Sequence, residues 1–348
     1  MPRCDLANSA DAPEHMQITV IVCTYNRCHT LGLSLQSIAA QLFREPRKWE
    51  VLVVDNNSKD RTRDVIAEFC AKYPGRFRYL FESNQGLSHA RNAGVRKALG
   101  EILAFTDDDV IVLNTWLDNL TSPLFTGQWA GAGGPIYPEG GFVPPSWLQR
   151  DWPPSMAPLA MFDAGPVPRD LTEPCFGANM AFRRSVFDRR GLFRTDLGRC
   201  GDSLLSNEDS EFGRRLLEAG ERLRYEPAAV VYHPVEKKRI QKNYFLAWWF
   251  AKGRADIREV GIEPGAKWYF AGVPLVFFRR LVIQAVRWIV TIQSARRFSC
   301  KVSTWTICGQ ILEARRLRRN ARRTLTPPLK AYTVRGTDSC LDKANWEN

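Results

Sequence analysis

Three consecutive carboxylates, Asp107, Asp108 and Asp109, follow the apolar run Glu101–Thr106, which has the composition of a buried strand. Adjacent carboxylates repel each other, and burying them is costly. A divalent cation that bridges to phosphate oxygens removes this cost, and Mg²⁺ or Mn²⁺ suits such oxygen sites. Because alternate residues of an extended chain point the same way, Asp107 and Asp109 can face one ligand together. Taken alone, the segment is also compatible with a solvated acidic turn.

Polar clusters also follow two earlier apolar runs. The run Ile18–Cys23 leads into the sequence TYNR, and Val51–Val54 leads into DNNS. Helical periodicity separates these runs, and repeated β-α-β units indicate a parallel sheet flanked by helices. Ligands of such sheets bind beyond the carboxyl ends of the strands. We therefore expect the three polar clusters to meet at one edge of the sheet.

The remaining patterns predict the other elements. Helices are predicted over 31–42, 60–73, 86–99, 207–219 and 244–258, and further strands over 77–81, 101–106, 176–182, 222–225 and 229–232. The segment Gly131–Pro174 is rich in Gly and Pro and contains Trp147. Long irregular segments of enzymes are usually substrate loops or lids.

Composition limits the class of protein. The chain has 348 residues, 45% apolar and 25% charged, which excludes overall disorder and a small disulfide scaffold. The nine cysteines are odd in number and lack CxxC spacing, and the polar stretch Met1–Gln17 is unlike a signal peptide. These features predict a cytoplasmic protein with free thiols.

The net charge of +12 is unevenly distributed. Residues 1–236 carry a net −4, whereas Lys237–Asn348 carries +16. A basic balance indicates nucleic acid, an anionic membrane surface or an anionic substrate as a partner. The basic region includes Arg315–Arg323, with six arginines in nine residues.

The stretch 268–294 is apolar, but its longest uncharged run, Trp268–Phe278, has only 11 residues. A membrane-spanning helix needs about 20 residues. Polar residues recur at steps of 4, 3, 4 and 3, as a single stripe on an otherwise apolar helix: Arg280, Gln284, Arg287, Thr291 and Ser294. This pattern predicts a helix that lies in a membrane interface rather than one that crosses it.

Five motifs in order make residues 17–235 resemble the family 2 glycosyltransferases. They are TYNR at 24–27, VVDNNSKD at 53–60, GLSHARNAG at 86–94, FTDDDV at 105–110 and NEDSEFGRRL at 207–216. Each motif alone is weakly specific, and their order and context carry the resemblance. The common family form VVDDGS is VVDNNS here, with Asn56 and Asn57 in place of Asp and Gly.

The resemblance implies an α/β fold of the GT-A type, with a mixed, mostly parallel central sheet flanked by helices, to which the charge pattern adds a helical basic C-terminal extension. It also implies a UDP-, GDP- or dTDP-sugar donor, Mn²⁺ or Mg²⁺, and inversion at the anomeric carbon. The family's donor-binding positions correspond to Thr24, Tyr25, Asn26, Arg27, Asp55, Asn57, Arg91, Asp107 and Asp108. Asp107 and Asp109 would form the DxD metal pair, and His233 would complete the metal shell.

The acceptor side is implied less directly. Asn207-Glu208-Asp209 opens a predicted helix, where acidic residues also serve as simple caps. The resemblance gives Asp209 the role of the general base that deprotonates the acceptor hydroxyl, with Glu208 as the alternative. Gly177 and Asn179 would contact the sugar or acceptor, together with Trp147 of the Gly/Pro-rich segment.

The resulting hypothesis is a metal-dependent inverting glycosyltransferase that uses a glycan or lipid-linked acceptor at the inner face of the plasma membrane. The predicted organisation is a polar segment (1–16), a catalytic domain (17–236, with halves 17–110 and 111–236), a basic helical region (237–325) and a loose tail (326–348). Two alternatives stay open: a sugar-phosphate nucleotidyltransferase, and a non-enzymatic nucleic-acid-binding protein that uses the arginine cluster. Nucleic acid is disfavoured because no reader motif accompanies that cluster.

Overall fold

The computed structural model describes residues 15–148, 156–262 and 268–325. The strands, in chain order, are β1 (Ile18–Thr24), β2 (Trp49–Asp55), β3 (Phe77–Phe81), β4 (Ile102–Thr106), β5 (Ile111–Val112), β6 (Gly131–Gly133), β7 (Ile136–Pro138), β8 (Arg169–Leu171), β9 (Met180–Arg183), β10 (Leu223–Tyr225), β11 (Val231–His233), β12 (Tyr269–Phe270) and β13 (Val273–Pro274). The α-helices are α1 (Leu31–Ala39), α2 (Thr62–Lys72), α3 (Leu87–Lys97), α4 (Trp116–Thr121), α5 (Arg184–Arg190), α6 (Glu208–Glu218), α7 (Lys242–Val260), α8 (Leu275–Val290) and α9 (Ser294–Leu325). Short 3₁₀ turns cover Ser122–Thr126, Ala157–Leu159 and Lys237–Ile240.

Eight strands form the main sheet, in the order β3-β2-β1-β4-β9-β6-β10-β8. The first four are mutually parallel, β9 runs against both of its neighbours, and β6 and β10 are parallel to each other. The predicted α/β fold with a mixed, mostly parallel sheet is therefore confirmed. Every residue of β2 is buried, as expected for a parallel strand that is covered on both faces.

The predicted edge of the sheet forms because the strands end in register. In the β1–β2 pair Thr24 lies opposite Asp55, and in the β1–β4 pair Val22 lies opposite Thr106. The polar residues after each strand therefore emerge side by side. A small second sheet, β5-β11-β7, brings His233 to the same region from later in the chain.

Two predicted elements need correction. The strand predicted over 176–182 begins only at Met180, since the preceding residues form a loop around the buried side chain of Asn179. The helix predicted to carry the polar stripe through Ser294 is two helices, because α8 ends at Val290, Thr291 is extended, and α9 begins at Ser294. The stripe therefore lies on one helix only from Arg280 to Arg287.

The C-terminal helices pack closely through two glycines. A Cβ atom at Gly253 of α7 would collide with the carbonyl oxygen of Thr306, and one at Gly309 of α9 would collide with that of Phe250. The α7 and α9 backbones therefore touch where they cross. Within the described part of the chain, none of the helices is long and apolar enough to cross a bilayer. The predicted N-terminal segment, through residue 14, and the tail 326–348 lie outside the described residues.

Candidate active site

A cavity of about 530 Å³ opens at the carboxyl edge of the main sheet. Its walls come from the segments after β1 and β4, from the start of α6, from the end of β11 and from α7. The cavity is lined by most of the sequence-predicted site residues: Thr24, Tyr25, Asn26, Arg27, Arg91, Asp107, Asp108, Asp109, Gly177, Glu208, Asp209 and His233. The strand-end clusters thus meet as predicted.

Asp107, Asp109 and His233 form a compact group of possible metal ligands. One ligand atom from each residue lies within 4.8 Å of the other two. Asp109 and His233 are nearly buried, whereas Asp107 keeps 35% of its side-chain surface exposed. Two carboxylates and an imidazole are a suitable donor set for Mn²⁺ and related divalent cations. The residues present therefore fit the predicted metal site.

The hydrogen bond of His233 orients its ring. Its Nδ1 lies 2.9 Å from the carbonyl oxygen of Pro234, which can only accept, so Nδ1–H is the donor. Nε2 lies 3.5 Å from Asp109 Oδ1, and in the neutral imidazole this nitrogen carries the lone pair that a metal would use. A backbone carbonyl that orients a ligating imidazole in this way is a common feature of metal sites.

Three arginines surround the acidic group. Asp109 Oδ2 lies 3.4 Å from Arg239 Nη2 and 3.7 Å from Arg27 Nη2, and Asp107 Oδ1 lies 3.9 Å from Arg91 Nη2. These cations offset the repulsion between the carboxylates. Guanidinium groups also bind phosphate oxygens well, so the same residues suit an anionic ligand in the cavity.

Asp108, in the middle of the acidic segment, has a raised pKa. Burial, together with the negative charge of Asp109, raises its pKa to about 7. Its side chain is buried, and the positive charge of Arg27 partly offsets the rise in its pKa. A buried carboxylate without a neighbouring positive charge is costly to ionise, so a cation bound here would stabilise the ionised group.

Asp209 presents a carboxylate to the cavity from the first turn of α6. Its Oδ2 accepts a 2.7 Å hydrogen bond from the backbone N–H of Gly177, and its Oδ1 accepts one of 2.7 Å from the N–H of Ser210. The side chain is half-buried. Asp209 is thus held in a fixed orientation while it remains accessible, as a general base must be.

Glu208, the alternative base, is in a different environment. It is buried, and its Oε1 accepts a 2.7 Å hydrogen bond from Arg91 Nη1, an equally buried guanidinium. Burial and the adjacent charge of Asp209 raise the pKa of Glu208 to about 7. Glu208 therefore serves as the partner of Arg91, and of the two carboxylates Asp209 is the more accessible.

The loops after β1 and β2 hold each other in place. The Asn26 N–H donates to Ser58 Oγ at 2.9 Å, and Asn26 Oδ1 accepts from the Lys59 N–H at 2.7 Å. Asn56, which sequence analysis did not assign to the site, lines the cavity and accepts a 2.7 Å hydrogen bond from the Gly86 N–H. This amide links the second strand end to the start of α3.

Four predicted site residues lie outside the cavity lining. Asp55 is buried and accepts hydrogen bonds from the Ser58 N–H and the Tyr79 hydroxyl, and Asn57 occupies the following turn with φ +67°. Asn179 is fully buried, and its amide binds the Trp116 indole and two backbone carbonyls. These three residues therefore do not line the cavity, although Asp55 lies opposite Thr24 at the same edge of the sheet.

Trp147, the fourth, packs elsewhere. Its ring lies edge-on to Phe245 and Phe298, with centroids 5.1 and 4.9 Å apart. These aromatic residues belong to a second cavity, described below. Trp147 is thus adjacent to the C-terminal helices rather than to the acidic group.

Sequence analysis missed several residues that line the cavity from the basic C-terminal region. Arg239 belongs to the 3₁₀ turn before α7, and Trp248 and Lys252 lie one turn apart on α7 itself. Arg199 and Asp202 were also missed, on the loop before α6. Trp248 and Lys252 are four residues apart and share one face of a helix, a pattern that could have indicated a binding site. The basic charge around them indicated a membrane-facing region instead.

The fold and the cavity together define the class. A mostly parallel sheet with a carboxylate–imidazole group beyond its strand ends is the GT-A arrangement. In agreement, the fold is similar to that of a solved mannosyltransferase, PcManGT from Pyrobaculum calidifontis, at a TM-score of 0.53 and 23% identity, over 92% of this chain and 84% of that one. That structure is a complex with GDP-Man and Mn²⁺.

Residues 19–191 match the family described as Glycosyl transferase family 2. The chain belongs to this family and is a glycosyltransferase. It is 29% identical over 238 residues to the succinoglycan biosynthesis protein ExoM of Rhizobium meliloti (strain 1021), covering 68% of this chain and 71% of the relative. It is 28% identical over 246 residues to a glucosyl-dolichyl phosphate glucuronosyltransferase of Haloferax volcanii (strain ATCC 29605 / DSM 3757), covering 67% and 75%.

Proposed function

We propose that this glycosyltransferase is metal-dependent and inverting, and that it transfers a sugar from a nucleoside-diphosphate donor to a hydroxyl of a lipid-linked or polysaccharide acceptor. The observation that carries the proposal is the meeting of Asp107, Asp109 and His233 with Asp209 in one cavity. Membership of a glycosyltransferase family explains the site better than either alternative, a nucleotidyltransferase or a nucleic-acid-binding protein.

Donor binding follows from charge. Asp107, Asp109 and His233 would hold Mn²⁺ or Mg²⁺, which when bound supplies positive charge to the diphosphate leaving group. Arg27 and Arg239, both within 4 Å of Asp109, reach the same region and add fixed positive charge. The loops that contain Tyr25 and Asn56 line the cavity on the side of β1 and β2, where the nucleoside would lie.

Acceptor activation depends on Asp209. Inversion in one displacement requires a base on the acceptor side that removes the hydroxyl proton as the oxygen attacks the anomeric carbon. Two backbone N–H groups orient the Asp209 carboxylate, and Glu208 is occupied by Arg91. The proton therefore passes to Asp209, and the diphosphate leaves towards the cations on the opposite side.

The acceptor class rests on the relatives and on the C-terminal helices. The two relatives are named for succinoglycan biosynthesis and for transfer to a glucosyl-dolichyl phosphate. In this chain every residue of α8 is at least partly exposed, and Ile292 and Trp268 are 96% and 72% exposed. An apolar, arginine-bearing surface of this kind suits the interface of an anionic membrane, where a lipid-linked acceptor would be found.

The test is a screen of nucleotide sugars for donor hydrolysis and for transfer to glycan acceptors, with Mn²⁺, with Mg²⁺ and after chelation. We expect chelation and Asp109→Ala to abolish both activities. Asp209→Asn should retain donor binding and lose transfer by a factor on the order of 10³, because it removes the base alone. Asp188→Asn, an exposed carboxylate outside the cavity, is the matched control. Full transfer by Asp209→Asn, or a product with retained anomeric configuration by NMR, would refute the mechanism.

Membrane attachment is tested separately by co-sedimentation with vesicles. We expect binding to anionic phosphatidylglycerol vesicles, little binding to neutral ones, and loss of binding in Ile289→Glu on the exposed face of α8. Leu99→Glu, at an exposed leucine of the catalytic part, controls for added charge. Equal sedimentation of Ile289→Glu and wild type would remove α8 as the attachment surface.

A further inference from the structure

A second cavity, of about 560 Å³, lies between α7, α8 and α9. Its volume is comparable to that of the first and falls within the range of about 300–1,000 Å³ that small-molecule sites occupy. The lining is mainly apolar and aromatic, and includes Trp147, Phe245, Trp249, Phe298, Val302 and Ile307. We infer that this cavity binds the hydrocarbon chain of the acceptor lipid, an inference that rests on the proposed function.

The two cavities share a wall. Trp248 lines the active-site cavity and Trp249 lines the second one, and their rings meet edge-on with centroids 5.0 Å apart. The Ala157–Leu159 turn also lies between the two cavities, because Pro158 lines the first cavity while Leu159 packs with Phe245 of the second. The two cavities are therefore neighbours, and a lipid whose chain lies in the second cavity would have its polar end close to the first.

The lining also offers polar groups to such a molecule. The indole nitrogen of Trp249 is buried, and no acceptor for it lies within reach in the described part of the chain. A buried N–H without an acceptor is costly, and a bound oxygen would satisfy it. Lys242 lies over the rings of Trp147 and Phe298, and the exposed Arg280 forms part of the rim. These cations suit an anionic head group such as a phosphate.

The position of Arg280 links the second cavity to the proposed membrane surface. Arg280 belongs to α8, the helix on which every residue is at least partly exposed. A chain anchored in the bilayer can therefore reach the cavity along α8 without crossing bulk water. This continuity favours a hydrocarbon chain over a small soluble apolar ligand as the occupant.

The binding test uses farnesyl phosphate and isopentenyl phosphate, which share a head group but differ in chain length, with tryptophan fluorescence as the signal. Wild type should bind farnesyl phosphate saturably and bind isopentenyl phosphate far more weakly. Ser303→Phe fills the cavity and should weaken farnesyl phosphate binding by a factor on the order of 10 or more, since it displaces several methylene groups. Ser299→Phe is a second filling variant, and Ser294→Phe, on the same helix outside the cavity, is the control.

Transfer assays then show whether the hydrocarbon chain in the cavity belongs to the acceptor or to a bilayer lipid. With one glycan acceptor on a farnesyl or a methyl aglycone, Ser303→Phe should raise KM only for the farnesyl form and leave donor hydrolysis unchanged. Unaltered farnesyl phosphate binding in both filling variants would overturn the inference. So would weakened binding with an unchanged KM for the farnesyl acceptor, because the cavity would then hold a bilayer lipid. Donor hydrolysis, measured in parallel, reports separately on the proposed function.

Discussion

Gly177 is the position where one methyl group should most sharply disturb the proposed catalytic geometry. A Cβ atom there would collide with the Arg91 guanidinium and would lie 3.0 Å from Asp209 Oδ2. The Gly177 N–H also donates the 2.7 Å hydrogen bond that orients Asp209. Gly177→Ala therefore acts on the proposed base and on the buried Arg91–Glu208 pair together, without changing any charge.

The expected magnitude follows from what must move. A Cβ atom this close forces its neighbours to shift, and here the neighbours are the buried Arg91 guanidinium, with which it collides outright, and the oriented Asp209 carboxylate. A misplacement of about 1 Å at a reacting group costs on the order of 10²-fold in rate. Straining the buried Arg91–Glu208 pair should also lower the free energy of unfolding by about 1–3 kcal/mol, less than the loss on removing a partner.

The assay compares kcat for transfer, the affinity for the nucleotide-sugar donor, and thermal unfolding. Gly32→Ala is the matched control, because a Cβ at Gly32 meets only Val65 Cγ1, at an ordinary 3.9 Å. We expect Gly177→Ala to lose about 100-fold in kcat with a folded spectrum, and Gly32→Ala to keep wild-type kcat. A Gly177→Ala protein with wild-type kcat would show that the orientation of Asp209 by the 177 backbone is unimportant, and the proposed assignment of the base would lose its geometric support.

Three further predictions concern stability and positioning. The pKa of Glu208 is about 7 in the folded protein against an ordinary 4.5, so between these pH values the folded state binds a proton that the unfolded state has lost. The free energy of unfolding should therefore fall by up to about 3 kcal/mol from this group as the pH rises from 4.5 to 7. Asp108, whose pKa is raised to a similar value, contributes a slope of the same sign. Metal-free Glu208→Gln should therefore have a shallower slope than wild type in denaturant titrations at the two pH values, and an equal slope would contradict the assignment. Asn207 adopts φ +80° and donates a 2.6 Å hydrogen bond to Glu259 of α7. Asn207→Ala should therefore lower kcat about tenfold at unchanged donor affinity, whereas an equal loss of donor affinity would indicate general damage to the site. Gly309→Ala would press a methyl group onto the Phe250 carbonyl and should lower the unfolding midpoint by several degrees in a thermal melt, unlike Gly32→Ala, whose methyl group meets only Val65 Cγ1 at 3.9 Å.

The sheet edge was predictable because local signals decide it. Apolar runs such as Val51–Val54 specify buried parallel strands, and the polar residues directly after them must then emerge at the carboxyl edge. Asp107 and Asp109 followed from their strand-end positions in the same way, whereas the role of Asp209 came from the family resemblance, because its helix-start position alone indicates only a cap. His233 needed the family resemblance, since a lone histidine after a short strand carries no such signal.

The remaining contacts depend on residues far apart in the chain. Asn179 is buried because Trp116 and two backbone carbonyls compete for its amide, and those partners lie 44 to 63 residues away. Arg239 reaches Asp109 across 130 residues. Neither periodicity nor charge pattern encodes such pairings, so the sequence predicts a strand around Asn179 and places Arg239 in the membrane-associated basic helical region 237–325.

The C-terminal region therefore cannot be described by its charge alone. Its first helix, α7, supplies Trp248 and Lys252 to the active-site cavity, and Asp256 and Glu259 of the same helix accept hydrogen bonds from Asn207, next to the proposed base. The neighbouring Trp249 faces the second cavity instead. Because one rigid helix contacts both sites, a bound hydrocarbon chain that shifts α7 would also shift the segment carrying Asp209. Addition of farnesyl phosphate should then alter kcat for donor hydrolysis by wild type but not by Ser303→Phe, whose hydrolysis without lipid is unchanged, and this coupling distinguishes a positioning role of the lipid from simple anchoring.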